Sequence, residues 1–259
     1  MTIRNIANHL EEIAPLKHAE DFDNVGLLIG DYNTKVTGIL VTLDTLEETI
    51  DEAITKNCNL IVSFHPIIFS GLKKINGNSY VERVVLKAIK NNIAIYATHT
   101  ALDNSKVGVS AKMCEVLGLI NYKILIPKEE TGIGMGMIGN LPEPMQEDDF
   151  LQYSKIIFNS GGVRFSKKIG RTIQKIAVLG GSGSFAISNA IQEKADVYIS
   201  ADFKYHDFFK AEGKILLIDV GHYESEQFTK NLLVEYLTKK FTSFAVILSE
   251  KSTNPIYYL

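Results

Sequence analysis

The stretch Gly38-Ile39-Leu40-Val41-Thr42-Leu43-Asp44-Thr45-Leu46-Glu47-Glu48 decides the fold. Residues 39–43 are apolar or β-branched without alternation, as a strand covered on both faces of a sheet must be. Thr45, followed three residues later by Glu48, is a helix-start signature, and the helix is expected to run to about Asn57. The unit then repeats. Leu60-Ile61-Val62-Ser63-Phe64 reads as a strand ending at His65-Pro66, and Ser79-Tyr80-Val81-Glu82 opens a helix to about Asn91. Residues 93–98 form the next strand and 105–117 the next helix. Strands joined by crossover helices of this length run parallel, and such sheets carry helices on both faces. The fold class is therefore α/β.

Toward the amino terminus, Ile3, Ile6, Ala7, Leu10, Ile13 and Ala14 follow helical spacing behind Thr2, and this helix should stop before Pro15. Toward the carboxyl terminus, residues 121–149 lose the periodic signal and hold Pro127, Pro142 and Pro144. That change places a domain junction near Pro127 and predicts two α/β domains, 1–127 and 128–259, each with a mostly parallel sheet flanked by helices. In the second domain, helices are expected over 148–159, 185–194, 205–211 and 225–241, with strands at 175–179, 196–200, 214–219 and 244–248. Gly134-Met135-Gly136-Met137-Ile138-Gly139 matches a dinucleotide fingerprint in letters only. Pro142 follows where that fingerprint needs a helix, so 132–141 reads as an irregular glycine-rich strand.

Composition narrows the function. The 259 residues are 46% hydrophobic and 22% charged, ordinary for a packed globular chain. Lys plus Arg number 27 against 30 Asp plus Glu, so no basic field supplies the phosphate-neutralising term of general nucleic-acid binding. The basic cluster Lys167, Lys168 and Arg171 is local. No stretch is apolar over a membrane-spanning length, and the first twelve residues lack a signal-peptide core. Two cysteines without CxxC pairing, Cys58 and Cys114, fit a reducing compartment, and a cytoplasmic location is expected.

In parallel sheets, ligands bind beyond the carboxyl ends of the strands. The residues that follow the expected strands are Asp44; His65; His99 with Asp103; the Gly180-Gly181-Ser182-Gly183 turn; Asp202 with His206; and Asp219, His222 and Glu226. Imidazoles and carboxylates without thiolates form a ligand set for Zn, Mn, Fe or Ni, and carboxylates can bridge two ions. His222 and Glu226, four apart around a helix start, are the sharpest pair. A carboxylate at a helix start is explained by the dipole alone, but the paired histidine at the strand exit is not. Asp44 reads as a helix-terminus or a supporting carboxylate, Asp202 and His206 as a helix cap and a surface histidine. The glycine turn reads as a plain tight turn. No G-x-S-x-G elbow occurs, and neither cysteine stands at a strand exit, which disfavours nucleophilic catalysis.

Taken in order, Phe22-Asp23-Asn24-Val25-Gly26-Leu27, His65-Pro66 with Phe69, Thr98-His99-Thr100 with Asp103, Gly180-Gly181-Ser182-Gly183, Ala201-Asp202 with Tyr205-His206, and Asp219-Val220-Gly221-His222 with Glu226 resemble the Nif-three-like dinuclear metal-centre family. Bacterial members of that family are labelled GTP cyclohydrolase 1 type 2 homologs. The resemblance spans residues 20–226. It implies a homohexamer of two-domain protomers with a pair of divalent ions in a cleft at the strand carboxyl ends. It also implies His65, Asp103, His222 and Glu226 as metal ligands, with Glu226 bridging and His99 close by. The chain resembles the short form, without the extra domain some members carry. One departure stands out: the family has two histidines before the proline, and here the first is Phe64. The ion held by His65, Asp103 and Glu226 is expected to survive this change and the second ion to bind more weakly, so the expected load is one or two ions per protomer.

The function expected from these readings is metal-dependent hydrolysis of a nucleotide or other small molecule, with His99 or His206 as the acid or base. The alternative is a non-enzymatic metal-binding scaffold, toward which the missing imidazole at Phe64 points.

Overall fold

A computed structural model of the chain describes all residues, 1–259. The backbone divides into two compact units, Met1–Leu102 with Thr229–Thr253, and Asp103–Phe228 with Asn254–Leu259. The junction expected near Pro127 lies elsewhere by this measure: Pro127 ends a paired strand, and the backbone passes between units after Leu102.

The first unit opens with α1 (Ile3–Leu10), whose Ile3, Ile6, Ala7 and Leu10 are buried. The N–H of Thr2 donates to Asn5 Oδ1 at 2.8 Å, tying down the helix start. The strands are β1 (Gly26–Ile29), β2 (Gly38–Thr42), β3 (Leu60–Ser63) and β4 (Ala94–Ala97), with α2 (Glu47–Thr55) and α3 (Tyr80–Lys90) between them. Sheet order is β1-β4-β3-β2-β11, where β11 (Ala245–Leu248) is the last strand of the chain. All pairings are parallel except the edge strand β1, which runs antiparallel to β4. Thus β11, expected in the second domain, pairs with β2 and completes the first sheet.

Burial follows strand alternation. Leu40, Ile61 and Ile95 pack with Ile50 and Ala53 of α2 and Val84, Val85 and Ala88 of α3. Ile39, Val41, Leu60 and Val62, pointing the other way, are also fully buried, and α9 (Thr229–Lys240) packs on β2 and β11. His9 of α1 stacks on Tyr236 of α9 at 4.2 Å between ring centroids. The second expected capping box is present, Ser79 Oγ accepting from the N–H of Glu82 at 3.2 Å. The first shifts by one residue: Leu46 is the N-cap of α2, and its N–H donates to Thr49 Oγ1 rather than engaging Thr45.

In the second unit the sheet order is β5-β6-β8-β9-β10-β7. β8 (Ile173–Ser182), β9 (Val197–Ala201) and β10 (Leu216–Asp219) form a parallel centre. β5 (Ile120–Pro127), β6 (Gly134–Met145) and the two-residue β7 (Arg164–Phe165) pair antiparallel, so this sheet is mixed. The glycine-rich stretch is indeed a strand, β6. One face packs Ile176, Val178, Ile199 and Ile218 against Met113 and Cys114 of α5 (Val109–Val116) and Phe150 of α6 (Glu147–Ile157). The other packs Ala177, Leu179, Tyr198 and Leu217 against Ile187 and Ala190 of α7 (Ile187–Gln192). The helix expected over 225–241 is broken into α8 (His222–Glu226) and α9, and ahead of α5 stands a separate turn, α4 (His99–Asp103), that the sequence reading does not include. Each of these two five-residue helices lies at a strand exit and carries residues the sequence singles out.

Leu40 has no solvent exposure and lies under α2 and α3, where collapse around a void is poor. Leu40→Ala is expected to lower the unfolding free energy by about 3 kcal/mol, read from urea denaturation. An unchanged midpoint would contradict this packing.

Candidate functional site

In the first unit the strand exits are stitched to one another by backbone. The N–H of His65 donates to the carbonyl of Leu43 and that of His99 to the carbonyl of Phe64, both at 2.9 Å. Asp44, directly after β2, meets His65, directly after β3, with Oδ1 at 2.8 Å from Nδ1. The other Asp44 oxygen accepts from Thr253 Oγ1 at 2.5 Å, so this carboxylate is itself held. With Nδ1 committed, Nε2 is the nitrogen His65 would offer a metal, the arrangement that raises a ligand's basicity and fixes its ring. Asp44 is thus the supporting carboxylate the sequence suggests.

His99 begins α4 with φ of 22°, a conformation side-chain-bearing residues rarely adopt. Its Nδ1 lies 2.8 Å from Asp23 Oδ1, and Asp23 Oδ2 accepts from the N–H of Thr100 at 3.0 Å and its Oγ1 at 2.5 Å. Burial alone would push the Asp23 carboxyl up, but the bonds from His99 and Thr100 and the charge of His99 outweigh it and bring it to about 2. Phe64 is fully buried and stands edge-on to His99 at 5.5 Å, a wall and not a ligand. Asp23 is a site residue that sequence reasoning gave no role. Its only signal was its place in the Phe22-Asp23-Asn24 motif.

In the second unit, His222 begins α8 immediately after Gly221, whose φ of 99° makes the tight exit from β10. His222 Nδ1 lies 2.7 Å from Asp202 Oδ2, and Nε2 lies 3.2 Å from Glu226 Oε2. Burial favours the neutral ring, but hydrogen bonds to both carboxylates outweigh it and lift the His222 pKa to about 11. The same contact holds the Asp202 carboxyl below its ordinary range. Two carboxylates thus place negative charge beside both nitrogens of the ring.

Glu226 is only 3% exposed. Gly181, with φ of 66°, makes room for it: a Cβ there would lie 2.3 Å from Glu226 Oε1 and 3.3 Å from His222 Cε1. The glycine turn is therefore a cradle, not merely a turn. Ser225 locks it, accepting from the N–H of Gly181 at 2.9 Å and donating to the carbonyl of His222 at 2.8 Å. Ser225 was invisible in the sequence, since a serine inside a helix has no signature.

The remaining expected residues take other places. Asp103 is the partly buried last residue of α4. Asp202 supports His222 and is not a helix cap. Asp219 is buried and structural, accepting from Arg164 Nη2 and from the N–H groups of Phe203 and Gly221. His206 is exposed on the 3₁₀ turn Tyr205–Ala211, its ring edge-on to Tyr205 at 5.1 Å and tilted to Phe209 at 6.1 Å. Burial raises the thiol of Cys114 to about 12, in keeping with an unreactive core cysteine.

Because the folded value for Asp23 lies below its ordinary 3.8, its pairing stabilises the fold fully above about pH 4, and the contribution is lost as pH falls through about 2. Asp23→Asn is expected to cost about 2 kcal/mol near neutral pH by urea denaturation, the gap to wild type narrowing between about pH 4 and 2. A gap that stays constant across that interval would refute the pairing.

Comparison with known proteins bears on this arrangement. The family model for Duf34/NIF3 (NGG1p interacting factor 3) matches residues 1–255. The chain is 33% identical over 231 residues to a GTP cyclohydrolase 1 type 2 homolog of Clostridium acetobutylicum, covering 87% of this chain and 85% of that protein. A Staphylococcus epidermidis protein of the same name is 27% identical, both chains fully covered, over 366 alignment positions, so that relative carries residues this 259-residue chain lacks. The crystal structure of a Staphylococcus aureus hypothetical protein superposes with a TM-score of 0.94 at 30% identity, covering 100% of this chain and 99% of that one. A Bacillus cereus protein related to NIF3 gives 0.92 at 25% identity, with the same coverage. The chain therefore belongs to the Duf34/NIF3 family.

Proposed function

We propose that this chain is a divalent-metal-dependent hydrolase of a nucleotide or other small molecule, working as a homo-oligomer, a hexamer by its resemblance. This reading assigns the ions to His65 of the first unit and to His222 and Glu226 of the second, all imidazole or carboxylate donors, with Asp103 as the further ligand that the resemblance implies. The observation that carries the reading is the holding of both histidines. Each uses Nδ1 on a carboxylate, Asp44 or Asp202, which is how a metal-ligating imidazole is oriented. The donor set, all imidazole and carboxylate, suits Zn, Mn, Fe or Ni, and Gly181, lacking a Cβ, leaves room for the Glu226 carboxylate. With Phe64 in place of an imidazole, the load is one or two ions per protomer.

When bound, the ions would polarise a phosphoryl or ring carbon–nitrogen bond as Lewis acids. The chain's own residues do the rest. Asp23 fixes the His99 ring by its Nδ1, leaving Nε2 as the atom that would take or give a proton. His206, exposed on its turn, is the second acid–base residue in this proposal. Asp44 and Asp202 keep the ligand rings from rotating. Buried Phe64 and half-exposed Phe69 stand edge-on beside the His99 ring and give it an apolar flank. Two of the three residues of the local basic cluster, Lys168 and Arg171, are engaged with Asp148 and Asp196, which fits a small-molecule substrate better than a nucleic acid.

The scaffold reading keeps one supporting observation, the fully buried Phe64 where the family places a ligand. Turnover separates the two. The name shared by the relatives puts GTP first in a panel of nucleotides and phosphoesters, assayed with Mn²⁺ or Zn²⁺. Metal-dependent turnover is expected to fall at least about a hundredfold in Glu226→Gln, with oligomeric state and melting temperature unchanged. A metal-loaded wild type that turns over nothing in the panel would favour the scaffold.

A further inference from the structure

The last residues of the second unit, Asn254–Leu259, lie against the segment that carries His222 and Glu226. Asn254 Nδ2 donates to Glu224 Oε1 at 3.0 Å, while Asn254 Oδ1 accepts from the N–H of Ile256 at 3.0 Å and turns the chain around Pro255. Glu224 is only 3% exposed, and its Oε2 has no hydrogen-bond partner. Asn254 is therefore the donor that keeps a buried carboxylate from being left wholly unpaired, a costly state.

Two residues after Ile256 the chain comes down again. The ring of Tyr258 fills the space left by two glycines: a Cβ on Gly161 would lie 2.2 Å from Tyr258 Cδ2, and one on Gly162 would lie 3.2 Å from Cδ1. Its hydroxyl reaches over Gly221, where a Cβ would stand 3.2 Å from Oη and 2.2 Å from Glu224 Oε2. Ser160 Oγ donates to the carbonyl of Val220 at 2.8 Å. The exit from β10 into α8 is thus held by Ser160 and by the tail. Glu224, Asn254 and Tyr258 have no part in the chemistry proposed above.

We propose that Asn254–Leu259 is a positioning strap: Asn254 and Tyr258 fix Gly221 and Glu224, and through them the direction in which His222 and Glu226 are presented. This rests on the metal reading for its consequence but not for its geometry. The ring and the amide act on different residues of the loop, so the two contacts share the work. Removing the ring alone should loosen Gly221, and removing both should free the whole turn.

The test uses full-length, metal-free protein and reads hydrogen exchange of the amides of 221–226, then binding of Co²⁺ alone by its visible absorption. In Asn254→Ala/Tyr258→Ala those amides are expected to exchange at least about tenfold faster than in wild type, while the amides of β8 and β9 keep their protection. Tyr258→Phe, which keeps the ring on Gly161 and Gly162 but removes the hydroxyl over Gly221, should fall between wild type and Tyr258→Ala. Gly161→Ala, which evicts the ring from the other side, should reproduce Tyr258→Ala, and the two combined should add little further. Co²⁺ affinity should fall about tenfold in the double variant. Unchanged exchange in Gly161→Ala and in the double variant would overturn the strap. Faster exchange with unchanged Co²⁺ affinity would overturn its positioning role. A wild type that binds no Co²⁺ would instead refute the metal reading, and the exchange result would still decide the strap.

Discussion

An imidazole can serve a metal or move a proton only if its ring is prevented from turning, and here three rings are held in the same way. Asp44, Asp23 and Asp202 each bring a carboxylate oxygen to within 2.7–2.8 Å of Nδ1 of His65, His99 and His222. Each histidine lies just beyond a parallel strand, and two of the three carboxylates, Asp44 and Asp202, lie just beyond the neighbouring one. That follows from the fold. Parallel neighbours end side by side, so the loops after β2 and β3, or after β9 and β10, can face each other with no added structure.

Holding these rings has local costs. His99 and Asp202, with φ of 22° and 58°, sit in backbone conformations that most side chains avoid, and both belong to a carboxylate–imidazole pair. Gly181 and Gly221 provide the same geometry where no side chain would fit at all. Strain of this kind persists only when the surroundings over-determine it, and the backbone bond from His99 to Phe64 and the Ser225 bridge between Gly181 and His222 do that. The stiff sheets behind them, with cores on both faces, are what the strained residues lean against.

Much of this was legible in the sequence, for physical reasons that also explain the rest. Buried parallel strands announce themselves as unbroken apolar runs, so β2, β3, β4, β9 and β10 could be placed, and with them the residues at their exits. The exposed edge strand β5 shows no alternation and went unread. The antiparallel β1 was hidden behind a turn-rich stretch. Pairing of β11 with β2, just over two hundred residues away, has no local signature. At the site, His222 with Glu226 could be read because their spacing is helical. Asp23 could not, since its partner His99 is 76 residues distant and no periodicity links them. Asp202 was read as a cap because an aspartate after a strand is most often one, and its left-handed backbone, which lets it face His222, leaves no trace in composition.

The central claim is that these pinned histidines, with Asp103 and Glu226, hold divalent metal. It is tested most directly by elemental analysis of untagged protein purified without chelators, for wild type and for Glu226→Ala. The account expects one or two transition-metal ions per protomer in the wild type and a loss of metal in the variant, with the fold intact by circular dichroism. Wild-type protein that holds no stoichiometric metal, even after incubation with Zn²⁺, Mn²⁺, Fe²⁺ and Ni²⁺ in turn, would contradict it.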